Sequence, residues 1–103
     1  NALVLCEILK FNAPVAETLY AEIMQALNSS ANGSISELCQ QFITHMQTIC
    51  AHSGLKLKLS ELGIAEDLLA TLAKDSMLQT RLLHNNPREL SEADAFAIYQ
   101  AVF

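Results

Sequence analysis

The first ten residues constrain this chain more than any other stretch. Between Ala2 and Leu9 every residue is apolar except Glu7. Asn1–Lys10 reads as a helix that is apolar around most of its circumference, and such a helix is buried on several sides. It is far too short to span a bilayer. It also lacks the basic n-region and small-residue cleavage site of a signal peptide. A chain that opens inside such a helix is expected to be a piece of something larger. The elements around it are set by composition: 17 Leu and 14 Ala against 15 Val, Ile and Thr together, with 3 Gly and 2 Pro. That mix favours helices over sheet.

The chain has 103 residues, enough for one core and too few for two. At 51% hydrophobic it is not disordered. Six basic residues against eleven acidic ones give a net charge of −5. Nucleic-acid binding needs a basic surface that this chain lacks. The acidic balance equally disfavours docking on anionic lipid. Neither nucleic acid nor a membrane is expected as a partner.

The first helix is expected to break at Phe11-Asn12-Ala13-Pro14, because Pro14 has no backbone N–H and suits a first helical turn. Asn12 or Ala13 would be the N-cap, Asn12 being the better capping residue. A second helix then runs to Leu27, with Val15, Leu19, Ile23 and Leu27 as its buried stripe. Asn28–Gly33 is a loop by composition. Ser34 and Glu37 form a capping box for a third helix. Ile35, Leu38, Cys39, Phe42, Met46, Ile49 and Cys50 follow with helical spacing, and Gly54 ends the helix in a left-handed conformation.

Leu55-Lys56-Leu57-Lys58-Leu59 alternates like a strand but has no partner strand, so it reads as an extended connector. Ser60–Gly63 is a turn or a short 3₁₀ segment. A fourth helix is expected over Ala65–Lys74 with Leu68, Leu69 and Leu72 inward. Asp75–Thr80 either continues it or starts a separate short helix. Leu82–Arg88 reads as a loop, with Asn86 held out of helical geometry by Pro87. Ser91 caps the last helix with Asp94 at the box position, and Phe96, Ile98, Tyr99, Val102 and Phe103 supply its apolar residues.

Chemistry is sparse. His45 and His52 stand at i, i+7, about 10 Å apart along one helix, too far to share one zinc. His84 has no evident nucleophile to activate. The three glycines fall in three separate connectors, so there is no phosphate loop. Cys39 and Cys50 lie about 16 Å apart along one helix and cannot bridge. Cys6, Cys39 and Cys50 read as small buried hydrophobes in a reducing compartment, which is the cytoplasm. From the residues alone this is an all-helical domain with no self-contained active site.

Three motifs extend that reading. The opening Asn1-Ala2-Leu3-Val4-Leu5, continued by Leu9-Lys10-Phe11-Asn12, resembles the segment after the metal-binding His-Gly of iron-containing (group III) alcohol dehydrogenases. Leu59-Ser60-Glu61-Leu62-Gly63-Ile64 is similar to a turn of that family. Asn86-Pro87-Arg88-Glu89-Leu90-Ser91-Glu92-Ala93-Asp94 resembles its Asn-Pro-Arg loop and the acidic-capped helix beyond. The matches keep the family's order and spacing and cover essentially the whole chain.

The resemblance implies an all-α fold: a bundle of about five helices, the C-terminal portion of a dehydroquinate-synthase-like helical domain. The parent protein would be an oxidoreductase binding NAD(P) in an N-terminal α/β domain. A divalent iron or zinc would sit between one aspartate and three histidines. Those ligands and the nucleotide domain would lie upstream of Asn1. This segment alone is then expected to be inactive, with no catalytic, metal-binding or cofactor-binding residue of its own. Its partners would be the nucleotide-binding domain of its parent chain and further copies in a homo-oligomer. By analogy Leu82 and His84 come nearest the substrate as a pocket wall, although several relatives carry a cysteine or another small residue in place of Leu82. The alternative is a free-standing acidic helical module that binds a partner helix through Ala2–Leu9.

Overall fold

Helix packing, capping and one proline account for the architecture. A computed structural model describes residues 2–55 and 58–103. Their regular structure is helical throughout: α1 (Ala2–Leu27), α2 (Ile35–His52), α3 (Leu69–Ser76), α4 (Thr80–Asn85) and α5 (Glu92–Ala101). Two 3₁₀ turns, Leu59–Leu62 and Glu66–Leu68, precede α3. The molecule measures 44 × 30 × 18 Å. The long dimension is close to the length of α1, whose 26 residues extend about 39 Å. The short dimension is about two helix diameters. No helix among the described residues is long and apolar enough to cross a membrane.

The expected break between two helices lies at Ala16, two residues beyond Pro14, as a kink that α1 runs across. The chain stays helical through Pro14 and kinks at Ala16 (φ −121°, ψ 15°). Pro14 removes the N–H that the Lys10 carbonyl would accept, and its ring crowds that carbonyl, so a bend follows. Asn12 does not cap a helix. It is a buried residue inside α1.

The stripe that α1 buries is not the expected one. Ala16, Tyr20, Ala21 and Met24 are buried, Ile23 packs at their edge, and Val15 and Leu19 are 58% and 53% exposed. Leu27 is exposed as well. The buried face is thus displaced by one residue, about 100°, from the row of branched side chains. The small side chains of Ala16 and Ala21 lie against α2, and Tyr20 meets Phe42 with ring centres 5.4 Å apart. On α2, Leu38, Cys39, Phe42, Ile43 and Cys50 are buried and Met46 packs against them. Ile35 and Ile49 face outward instead.

A second cluster forms around Leu59, Leu69 and Val102, joined by Leu3, Val4, Ile64, Leu72, Tyr99 and Phe103. Leu69 is 1% exposed. The connector is tied to the C-terminal end by backbone bonds from Leu59 to the Val102 carbonyl (2.7 Å) and from Ser60 to the Phe103 carbonyl (3.2 Å). This supplies the backbone partners that the alternating stretch lacked in sequence. Lys56 and Leu57 of that stretch lie outside the described residues. Leu68 is exposed because Glu66–Leu68 forms a 3₁₀ turn and the α-helix begins only at Leu69. Phe96 is likewise partly exposed on α5, where Ala95 and Ile98 are the buried residues.

The first segment is neither exposed nor fully enclosed: Leu3 through Leu9 are all half-buried. Leu9 joins the α1–α2 cluster, Leu3 and Val4 join the second, and Val4 and Ile8 line an apolar cleft with Leu83, Leu90 and Ile98. The all-round hydrophobicity of this segment is thus divided among three neighbours.

Both capping boxes form. The Ser34 N–H donates to Glu37 Oε1 (3.1 Å) and the Glu37 N–H donates to Ser34 Oγ (3.1 Å). Ser91 and Asp94 repeat the pattern (3.0 and 3.1 Å). Gly54, at φ +80°, ends α2 in the left-handed region where a Cβ is strained. Bonds from the Ser34 backbone and then its hydroxyl hold the Glu37 carboxyl below its ordinary value. Asp94 is lowered by the same two groups of Ser91 and by the charge of Arg88.

Ser34→Ala and Ser91→Ala should each lower stability by about 1 kcal/mol in urea unfolding. Because both carboxyl pKa values are depressed in the fold, the stability they contribute is complete above the ordinary carboxylate range. It is lost as pH falls through the folded-state values. Unfolding curves measured from neutral to acidic pH should therefore show a shallower acid loss in Glu37→Gln and Asp94→Asn.

Candidate functional site

The segment from Thr80 to Arg88 is helical at first, contrary to the loop expected. Thr80–Asn85 forms α4, and Asn86 leaves it in an extended conformation (ψ 138°). That departure is the one Pro87 imposes on its predecessor. Leu83 turns inward and lines the apolar cleft of about 120 Å³ with Val4, Ile8, Leu90 and Tyr99. Leu82 and His84 flank it and are exposed, Leu82 to 61%. Two residues apart on a helix, they project about 200° from one another. The fold therefore places both at one short helix but does not aim them at one point.

The loop that follows is anchored to the bend in α1. Asn12, 3% exposed, exchanges two side-chain hydrogen bonds with Asn86: Asn12 Nδ2 to Asn86 Oδ1 (2.9 Å) and Asn86 Nδ2 to Asn12 Oδ1 (2.8 Å). The second hydrogen of Asn86 Nδ2 reaches the Arg88 carbonyl (2.6 Å). Arg88 Nη1 donates to the Phe11 carbonyl (2.7 Å), and its guanidinium carbon lies 4.1 Å from the centre of the Phe11 ring. The junction thus combines a reciprocal amide pair, a charge-assisted bond to a backbone carbonyl one residue from the carbonyl that Pro14 leaves without its donor, and a cation–π contact. Its members are separated by 74 to 77 positions in sequence.

Sequence reasoning did not find this pairing. It assigned Asn12 to a cap and Asn86 to a loop. The available signal was indirect: Phe11-Asn12 closes one of the three recognised motifs and Asn86-Pro87-Arg88 opens another. The two motifs are halves of one contact.

The histidines do not converge. His45 and His52 are exposed on α2, and His84 ends α4. Among the described residues no three His, Cys, Asp or Glu side chains group so as to hold a metal ion. The positive-φ glycines, Gly33, Gly54 and Gly63, each serve a separate connector.

Asn12→Ala and Asn86→Ala should each destabilise the fold by about 1–3 kcal/mol, since each leaves a buried amide without its partner. The double variant should cost less than the sum of the two. A double-mutant cycle in urea measures that coupling, expected at about 0.5–3 kcal/mol.

Residues 1–103 match the C-terminal model of the Fe-containing alcohol dehydrogenase family. The chain is 33% identical over 105 residues to long-chain-alcohol dehydrogenase 1 of Geobacillus thermodenitrificans (strain NG80-2), covering 100% of this chain and 26% of that protein. The chain thus spans about a quarter of the length of that relative. No solved structure matches it. With the family's model matched from the first residue to the last, and the Asn12–Asn86 junction joining two of its motifs, this chain belongs to the Fe-containing alcohol dehydrogenase family and is of its C-terminal, all-helical type.

Proposed function

We propose that the chain serves as the C-terminal helical segment of an NAD(P)-dependent, iron- or zinc-requiring enzyme that interconverts alcohols and aldehydes, and that it is inactive alone. The match over the full 103 residues carries this reading. In such an enzyme a nicotinamide, when bound, would supply hydride chemistry, and a divalent metal would supply Lewis-acid polarisation of an oxygen. Among the described residues no three His, Cys, Asp or Glu side chains group to hold the metal. The role of this chain is then to pack and to shape. Its two clusters hold α1 rigid, and the Asn12–Asn86 junction fixes the end of α4. Leu82 and His84 border the substrate side from there. The matched relative is named for a long-chain alcohol, and the exposed Leu82 offers apolar surface suited to an aliphatic chain.

The partners follow from the same reading. Val15, Leu19 and Leu27 leave an apolar row uncovered on α1, suited to the nucleotide-binding domain of the parent chain or to another copy in a homo-oligomer. A cytoplasmic location fits three free thiols. The rival reading, an independent interaction module binding through Ala2–Leu9, is weakened because Leu3–Leu9 are half-buried against three internal neighbours.

An NAD(P)-linked alcohol oxidation assay together with metal analysis tests the proposal. The isolated chain should show no turnover and no stoichiometric iron or zinc; either one refutes its inactivity. In an active protein that contains the chain, Leu82→Ala should raise KM for a long-chain alcohol about tenfold, with kcat little changed. An unchanged KM would remove Leu82 from the pocket wall.

A further inference from the structure

α1 and α2 pack antiparallel, and their register pairs positions far apart in sequence. Tyr20 meets Phe42, and four helical turns nearer the start of α1 the Cys6 thiol faces Cys50 Sγ at 3.9 Å. Both sulfurs are free thiols, 44 positions apart. Cys50 is buried and Cys6 half-buried. Both line a cavity of about 160 Å³ that is bordered by Glu7, Gln47, Lys58 and Val102. Two sulfurs this close, on separate helices and beside an opening, form an arrangement that the proposed enzyme chemistry does not use. Cys39 is different: it lies on α2 about 16 Å from Cys50, in the cluster around Tyr20 and Phe42.

We propose that Cys6 and Cys50 form a dithiol modification site that undergoes exchange with a small soluble disulfide such as oxidised glutathione and closes into an intramolecular disulfide joining α1 to α2. Cys6, the less buried thiol, loses its proton to solvent and attacks one glutathione sulfur. The glutathione S–S bond breaks, one glutathione leaves as thiolate, and Cys6 carries the other as a mixed disulfide. Cys50, deprotonated in turn, attacks the Cys6 sulfur and displaces the second glutathione. The two cysteines lose two electrons and two protons, and oxidised glutathione takes them up as two thiols. The sulfurs must close from 3.9 Å to about 2 Å. Burial first, and then the neighbouring Cys50 thiol, push the Cys6 thiol above its ordinary value, so this pair exchanges slowly compared with an activated cysteine.

The test incubates the folded full chain with oxidised glutathione, alkylates the remaining thiols and maps the peptides by mass. Reactive thiols should fall from three to one per chain. The Cys6 and Cys50 peptides should be recovered joined, and Cys39 alkylated. Cys39→Ser should leave the cross-link intact, and Cys50→Ser, shown by circular dichroism to be folded, should stop at a glutathione adduct on Cys6. Retention of all three thiols, a lasting glutathione adduct on Cys6 in the unmodified chain, or cross-links that involve Cys39 or join separate chains would each overturn the proposal.

Discussion

The bend in α1 is the constraint on which the other elements depend. Pro14 removes one helical hydrogen bond and crowds the carbonyl four residues earlier, yet the helix continues and kinks at Ala16. Before the bend, Leu3 and Val4 reach the cluster around Leu69 and Val102 while Leu9 and Ala13 pack on α2; after it, Ala16, Tyr20, Ala21 and Met24 lie on α2. The row that faces α2, Leu9, Ala13, Ala16, Tyr20 and Met24, keeps helical spacing across the bend.

That bend is held from outside. Asn86 and Arg88 arrive from the far end of the chain and bond to the Asn12 side chain and the Phe11 carbonyl. Polar groups in such a position are costly when unpaired and stabilising when paired. The junction therefore couples α1 to the start of α5, and through Asn86 to the end of α4. The proposed substrate-side residues depend on this coupling. α4 has only six residues and makes no side-chain cap of its own, so its position rests on Leu83 in the cleft and on the anchored loop after it.

Local rules carried well wherever one short stretch of chain decides the outcome. The two Ser-centred capping boxes, the left-handed Gly54, the extended Asn86 before proline and the 3₁₀ turn at Leu59–Leu62 all follow from near neighbours. Errors arose where partners are distant. Asn12 looked like a cap because its amide partner stands 74 positions away. The α1 stripe was displaced by one residue because periodicity identifies a face by its largest side chains. The packing instead chose the alanines on the side facing α2. Leu82–Arg88 read as a loop because polar and turn-forming residues dominate it, although Leu83 has a cleft to fill.

By itself the sequence determined the helical class, the ends of α2 and α5, the acidic surface charge and membership of the family, since each rests on composition or on motifs within about a dozen residues. Only the tertiary structure decided that the break after Pro14 is a kink at Ala16, that two of the motifs are one junction, and that Cys6 lies beside Cys50. Those outcomes depend on contacts between positions 44 to 77 residues apart. The free energy of such contacts comes from burial and from pairing buried polar groups, and both exist only once the chain has folded.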